Sequence, residues 1–265
     1  MDNCDFSFRG ETLSSHGYML CDFSGASSGG AIATDSQRSF TQMSMLGGKH
    51  LPILYYRYDT GLTIQLSICK IDTGSDMRIA PYDAQKLKRW LESPTSEKLR
   101  FLDSEYSGIY WEGTFNVDEY RISGEIYGFN IEFTATAPWG YKDDVIKTGT
   151  VQANGTVTIY DSSDDEGYIY PDVRIKILSA GDLHITNSFD ERETIITDCE
   201  QNEVIHINHF LQLYSDSTTH DIYNCFNYRF MRIHNSYDNT ENTLTFSLPC
   251  EYEIAYKPIA KAVFD

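Results

Sequence analysis

The sequence predicts a mainly β protein of two domains, the first carrying one amphipathic helix and the second a β-sandwich or jelly roll. Three observations carry this. Apolar residues recur at every second position along much of the chain, whereas one segment alone repeats them every three to four. Aromatic residues make up 14% of the 265 residues, with 19 Tyr and 14 Phe, types that suit pleated, half-buried surfaces. Turn-forming residues punctuate the alternating runs at short intervals.

In chain order, Leu62, Ile64, Leu66 and Ile68 form the first clean alternation and predict a strand. From Pro81 to Ser93 the period changes. Ala84, Leu87, Trp90 and Leu91 recur at helical spacing, with Gln85, Lys86, Lys88 and Arg89 on the other face. Pro81 opens this segment and Pro94 stops it, so a helix of about three turns is expected over about 81–93. Its basic face reads as the solvated side of a helix covering a sheet rather than as an anion site.

Phe129, Ile131 and Phe133 then alternate with Asn130, Glu132 and Thr134. Ala137-Pro138-Trp139-Gly140 breaks the pattern, which predicts a first domain of residues 1–137 and a second of 138–265. The formal charge is −6 before this point and −12 after it. Beyond it, alternation returns at Val173-Ile175-Ile177, Leu244-Phe246-Leu248 and Tyr252-Ile254-Tyr256. Ser179–Asp182 and Tyr237–Thr240 supply turns. At least seven short strand candidates and no convincing helix predict the sandwich.

Composition excludes several function classes. The net charge of −18 repels phosphate backbones and anionic lipid, so direct nucleic-acid binding and membrane docking are not expected. No apolar run approaches the ~18–20 residues that span a bilayer, so no membrane anchor is expected. The acidic start, Met1-Asp2-Asn3-Cys4-Asp5, has no apolar stretch behind it and does not read as a secretory signal. The six cysteines are scattered without a Cys-x-x-Cys, which argues against structural zinc and a disulfide framework; they read as reduced residues of a cytosolic product.

Several short motifs invite chemical readings. Asp72-Thr73-Gly74-Ser75 matches the aspartic-protease signature, but that chemistry needs two carboxylates sharing a proton, and a second copy is absent. A homodimer would have to supply it, with Ile126-Tyr127-Gly128 as the downstream apolar element; an ordinary turn is the simpler reading. His206 and His209 form His-x-x-His near Cys199, Cys225 and His184, yet on a strand flanked by Ile205 and Ile207 the two rings point apart. Asp164-Asp165-Glu166-Gly167 lacks the spaced oxygen ligands of a calcium loop. Asn154-Gly155-Thr156 reads as a turn. Gly25–Gly30 and Gly47-Gly48-Lys49-His50 lack the residues of a phosphate-binding loop. On these grounds no catalytic, metal-binding or cofactor-binding residue is assigned, no cofactor is expected, and the protein is not expected to be an enzyme.

Five segments are more informative in order than alone: Phe6–Tyr18, in which an aromatic strand meets a glycine and then Ser and Gly; Leu87-Lys88-Arg89-Trp90-Leu91 followed by Leu99-Arg100-Phe101, Tyr106 and Tyr110-Trp111-Glu112-Gly113; Phe129–Pro138, a strand ending in Ala-Pro; Tyr170–Ile175; and Phe226–Phe230. Together they resemble the distal tail proteins of long-tailed, non-contractile phages and prophages, over nearly the whole chain. Gly47-Gly48-Lys49-His50 departs from the resemblance, since the family tends to carry a Pro-Gly-basic turn there.

The resemblance implies a β-barrel-like first domain with one helix and a galectin-like β-sandwich as the second. It implies a homo-hexameric ring, formed through the first domain and in some cases stacked, at the distal end of the tail. That ring would be a hub joining the tail tube protein to tail-tip, tail-associated and receptor-binding proteins, assembled in the host cytoplasm. The length resembles the scaffold-only form of the family, without an inserted carbohydrate-binding module. A Tyr-rich composition suits ring interfaces, and acids on the lumen would lower the affinity for passing DNA. The alternative is a carbohydrate-binding sandwich contacting the host surface, although Trp is sparse; the remote one is the homodimeric protease centred on Asp72.

Overall fold

The computed structural model describes residues 5–23, 32–34, 38–42, 53–71, 74 and 76–261. It is mainly β with one α-helix among the described residues, in agreement with the alternation in the sequence. Contacts divide the chain into two units, Met1–Gly140 with Lys261–Asp265, and Tyr141–Ala260.

The first unit contains β1 (Phe6–Phe8), β2 (Glu11–Thr12), β3 (Tyr18–Leu20), β4 (Ile32–Thr34), β5 (Arg38–Gln42), β6 (Ile53–Tyr58) and β7 (Thr63–Lys70). The helix α1 (Pro81–Leu91) comes next, then β8 (Glu97–Phe101), β9 (Ile109–Ile122) and β10 (Glu125–Ala135). The main sheet runs β2-β1-β8-β9-β10-β7-β3, with β4 also on β7 and β5–β6 paired separately. The predicted period of two is visible in its register. Phe129, Ile131 and Phe133 of β10 stand opposite Ile68, Leu66 and Ile64 of β7 on the buried face. Between them, Asn130 accepts a hydrogen bond from Ser67 (2.9 Å) and Glu132 from Gln65 (3.0 Å) on the outer face. The hairpin between β9 and β10 turns at Ser123 and Gly124, both at positive φ (51° and 88°), as a two-residue hairpin turn requires.

Helix α1 starts at Pro81, whose missing N–H costs nothing in the first turn. It ends at Leu91, two residues short of the expected Ser93, because the chain ahead of Pro94 is pushed out of helical geometry. Ala84, Leu87, Trp90 and Leu91 are buried against the sheet, each large side chain contributing about 1.5–3 kcal/mol. The Trp90 indole N–H donates to the Phe8 carbonyl (3.1 Å), and its ring stacks on His16 at 4.1 Å. On the opposite face Lys88 reaches Glu119 of β9 (2.9 Å), so part of the basic face is used to tie the helix to the sheet.

The second unit opens within β11 (Gly140–Lys142) and continues through β12 (Val145–Val151), β13 (Gly155–Tyr160), β14 (Gly167–Ile169), β15 (Asp172–Ile177), β16 (Gly181–Asn187) and β17 (Glu193–Cys199). It ends with β18 (Val204–Ile207), β19 (Leu213–Ser215), β20 (Ile233–Asn235), β21 (Glu241–Phe246), β22 (Cys250–Tyr256) and β23 (Ile259–Ala260). One sheet has the order β12-β22-β15-β18-β19, the second β13-β21-β16-β17, and β14 pairs with β20. Val173, Ile175, Ile205 and Ile254 of the first sheet share a core with Val157, Leu183, Ile185, Ile196, Leu244 and Phe246 of the second. Two antiparallel sheets around one core make a β-sandwich. Inside it, fully buried Asn242 accepts from Asn187 Nδ2 (2.8 Å) and the His234 N–H (2.8 Å), and donates to the His234 carbonyl (2.7 Å). That network is satisfied, as a buried amide must be.

Candidate functional site

Asp72, Thr73 and Ser75 lie outside the described residues, as do Gly25–Gly30, Gly47–His50 and Cys4. Gly74 is an exposed turn residue at φ 76°. His206 lies in β18 with its ring stacked on Tyr214 of β19 (4.6 Å, 8°). The strand ends at Ile207, so His209 falls in the subsequent turn, where its Nδ1 stands 2.9 Å from Asp172. His184 contacts Glu193 (2.7 Å), the Cys199 thiol donates to the Ile196 carbonyl (3.3 Å), and Cys225 faces Asp198 (3.8 Å). These groups do not converge: among the described residues no cluster of three or more His, Cys, Asp or Glu side chains has the spacing of a metal site. Asp164 is paired with Lys142 (2.6 Å), and Asn154 takes φ 57° in the turn between β12 and β13.

The sandwich instead presents surfaces. Strand register sets Thr148, Glu253, Arg174, His206 and Tyr214 in one row across the outer face of the five-stranded sheet. In the turn after β18, Phe210 is 73% exposed. A second surface centres on Arg232, whose Nε donates to Asp190 (2.8 Å) while its guanidinium lies 4.5 Å from the centre of the Tyr168 ring. Burial pushes the Asp190 carboxyl up, but the Arg232 hydrogen bond, the Arg192 N–H and the nearby His234 outweigh it and hold the carboxyl below its ordinary range. His234 Nε2 is 3.0 Å from Asp190 without hydrogen-bond alignment, and its ring stacks on Phe189. In the first unit, two open grooves of about 360 and 330 Å³ flank α1. The larger is lined in part by the Lys88–Glu119–Arg121 ion-paired group.

Sequence patterning missed one further cluster, because its members are far apart in the chain. The side chains of Glu203 and His220 are 0% and 2% exposed, and the Glu203 carboxylate accepts from His220 Nδ1 (2.7 Å), Ser215 Oγ (2.5 Å) and the Glu200 N–H (2.8 Å). Glu200 in turn accepts from Thr219 (2.5 Å) and Ser217 (2.8 Å). Those two hydroxyls, Thr219 first, hold the Glu200 carboxyl below the ordinary value. A lowered folded-state value contributes stability that is fully present above the unfolded value of about 4.3 and is lost as pH falls below it and through the lowered folded value. Glu200→Gln is therefore expected to narrow the difference between the urea midpoints at about pH 7 and about pH 3. An unchanged difference would show that this turn takes no part in acid unfolding.

Rows of charged and aromatic side chains thus lie on the outer faces of these sheets, the composition of surfaces that meet other proteins. A family model described as a phage tail protein N-terminal domain matches residues 1–137, and one described as a phage tail C-terminal domain matches residues 139–256. The chain belongs to this family of phage tail proteins and is a structural component rather than an enzyme. Among solved structures it is similar to the crystal structure of SPP1 Dit, described as a paradigm of the hub adsorption apparatus in phages infecting Gram-positive bacteria. The TM-score is 0.66 over 96% of this chain and 98% of that one, at 10% identity, which is a likeness of fold. No curated protein matches the chain.

Proposed function

We propose that this tail protein is a distal hub: six copies form a ring at the end of the tail, linking the tail tube to tail-tip and receptor-binding proteins. The observation that carries the reading is the fold likeness to SPP1 Dit along both chains almost end to end, together with tail-family matches to both halves. In this reading residues 1–137 build the ring and the sandwich of residues 138–265 presents its exposed rows to neighbouring tail proteins. A closed ring needs two complementary surfaces on each copy rather than one self-complementary patch. Assembly takes place in the host cytoplasm, and the finished ring resides in the virion.

Native mass spectrometry of the purified protein tests this. Six copies of the 30.3 kDa chain give about 182 kDa, and ring-shaped particles of that mass in negative stain are the expected result. A dimer at all concentrations, with tail tubes failing to nucleate rings from the isolated protein, would overturn it.

A further inference from the structure

We propose that Cys21 and Cys69 are a disulfide-forming pair that clamps the chain leaving β3 onto β7. Leu20, the last residue of β3, pairs with Ile68, and the Cys21 N–H then donates to the Ser67 carbonyl at 2.9 Å. Cys21 therefore stands opposite Ser67, two positions from Cys69 and on the same outer face, as its diagonal neighbour on the adjacent strand. Both residues are partly exposed, and one thiol is close enough to donate a hydrogen bond to the other. β3 ends at Leu20, so Cys21 lies just beyond the strand ladder, where the backbone can shift to bring the two sulfurs into bonding geometry.

Phe23, two residues beyond Cys21, gives the clamp a purpose. It lies flat against Tyr120 of β9, with ring centres 4.0 Å apart and planes 3° apart. It occupies the space above Gly128, where a Cβ would meet its Cζ at 2.2 Å. Gly128 is the residue of β10 that pairs with Cys69. The pair thus sits beside the slot that receives Phe23, and a bond there would hold the departing chain in place.

The two thiols are unequal. The hydrogen bond from Cys21 lowers Cys69 to about 7, against the effect of burial, while that bond, burial and Asp22 push Cys21 up. Cys69 is then the attacking thiolate. With a small-molecule disulfide as oxidant, the Cys69 thiolate attacks one sulfur, forms a mixed disulfide and releases one small thiolate, which takes up a proton. Cys21 then loses its proton and attacks the Cys69 sulfur, expelling the second small thiol. Two protein thiols are oxidised and one small disulfide is reduced to two thiols. The pair stays reduced in a reducing cytosol and closes outside it.

The test is to expose the purified full chain to oxidised glutathione, block residual thiols, and map peptides without reduction. A linked Cys21–Cys69 peptide at least tenfold above any other pairing is expected. The thermal midpoint of the first unit should rise by about 5 °C on oxidation, a rise absent from Cys69→Ser. Blocked Cys21 and Cys69, a lasting glutathione adduct on Cys69, or preferential linkage of Cys199 or Cys225 would overturn the pair. Linked peptide with an unchanged midpoint would overturn the clamp.

Discussion

Gly113→Ala is expected to cost the first unit about 3 kcal/mol, at the upper end of overpacking penalties, and to lower its urea midpoint by about 1–2 M. Gly113 lies in β9 opposite Ala135 of β10 and Glu97 of β8. A Cβ built there would stand 2.2 Å from the Thr134 carbonyl oxygen and 2.6 Å from Phe133 Cζ. The oxygen belongs to the neighbouring strand and cannot rotate away. The ring cannot yield either: Phe133 is fully buried and packs on Phe115 at 5.0 Å and Phe8 at 6.5 Å. Relief requires β9 and β10 to part where the hydrogen bond from the Thr136 N–H to the Glu112 carbonyl (2.8 Å) closes the pair. The experiment has a convenient reporter, since all three tryptophans, Trp90, Trp111 and Trp139, lie in the first unit. A tryptophan fluorescence transition at the native midpoint would show that the strands separate freely here.

Glu203→Ala should destabilise the sandwich by about 3 kcal/mol or more, since each buried polar group it leaves unpaired costs about 1–3 kcal/mol. The carboxylate is inaccessible and takes three hydrogen bonds, so its loss strands His220 Nδ1, Ser215 Oγ and the Glu200 N–H at once. His220 is poorly placed to find substitutes, because its Nε2 is already buried without a hydrogen-bond partner. The local architecture adds to the effect. Ser217 N–H donates to Ser215 Oγ, and Ser217 Oγ accepts from the backbone of Thr219 and His220, so the segment after β19 is organised from the anchored Ser215. His220→Ala should cost a similar amount. The double variant should cost little more than either single one, because the groups act as a unit. Urea titrations followed by far-UV circular dichroism supply the comparison. Additive losses would show that the two side chains do not depend on each other.

The strands that alternate cleanly were legible in the sequence because burial on one face of a sheet imposes a period of two regardless of what lies next to it. Phe129–Phe133 and Val173–Ile177 show this, each buried where the alternation said it would be. The helix was legible for the same kind of reason, from the spacing of Ala84, Leu87, Trp90 and Leu91 and the prolines at its ends. Short elements were not: β14 and β20 have three residues each, too few for a period to register. The candidate recognition surfaces were missed as well. Arg232 reaches Asp190 across 42 positions, and His206 meets Tyr214 only because β18 and β19 pair in one particular register.

Local chemistry therefore determined the fold class, the faces of the longer strands, the helix and its ends, and an acidic, Tyr-rich surface. Those properties depend on neighbours within a few residues, and the sequence displays such neighbours directly. The tertiary structure alone decided which strands lie side by side. Placing β7 against β10 and β3 brought Cys69 beside Cys21 and left a slot over Gly128 for Phe23. The second unit likewise buried Glu203 with His220, and Asn187 with Asn242. Each of these contacts joins residues separated by dozens of positions or by a loop without periodic pattern. Partners at that range are selected by the packing and hydrogen bonding of the whole domain, which no local window of sequence contains.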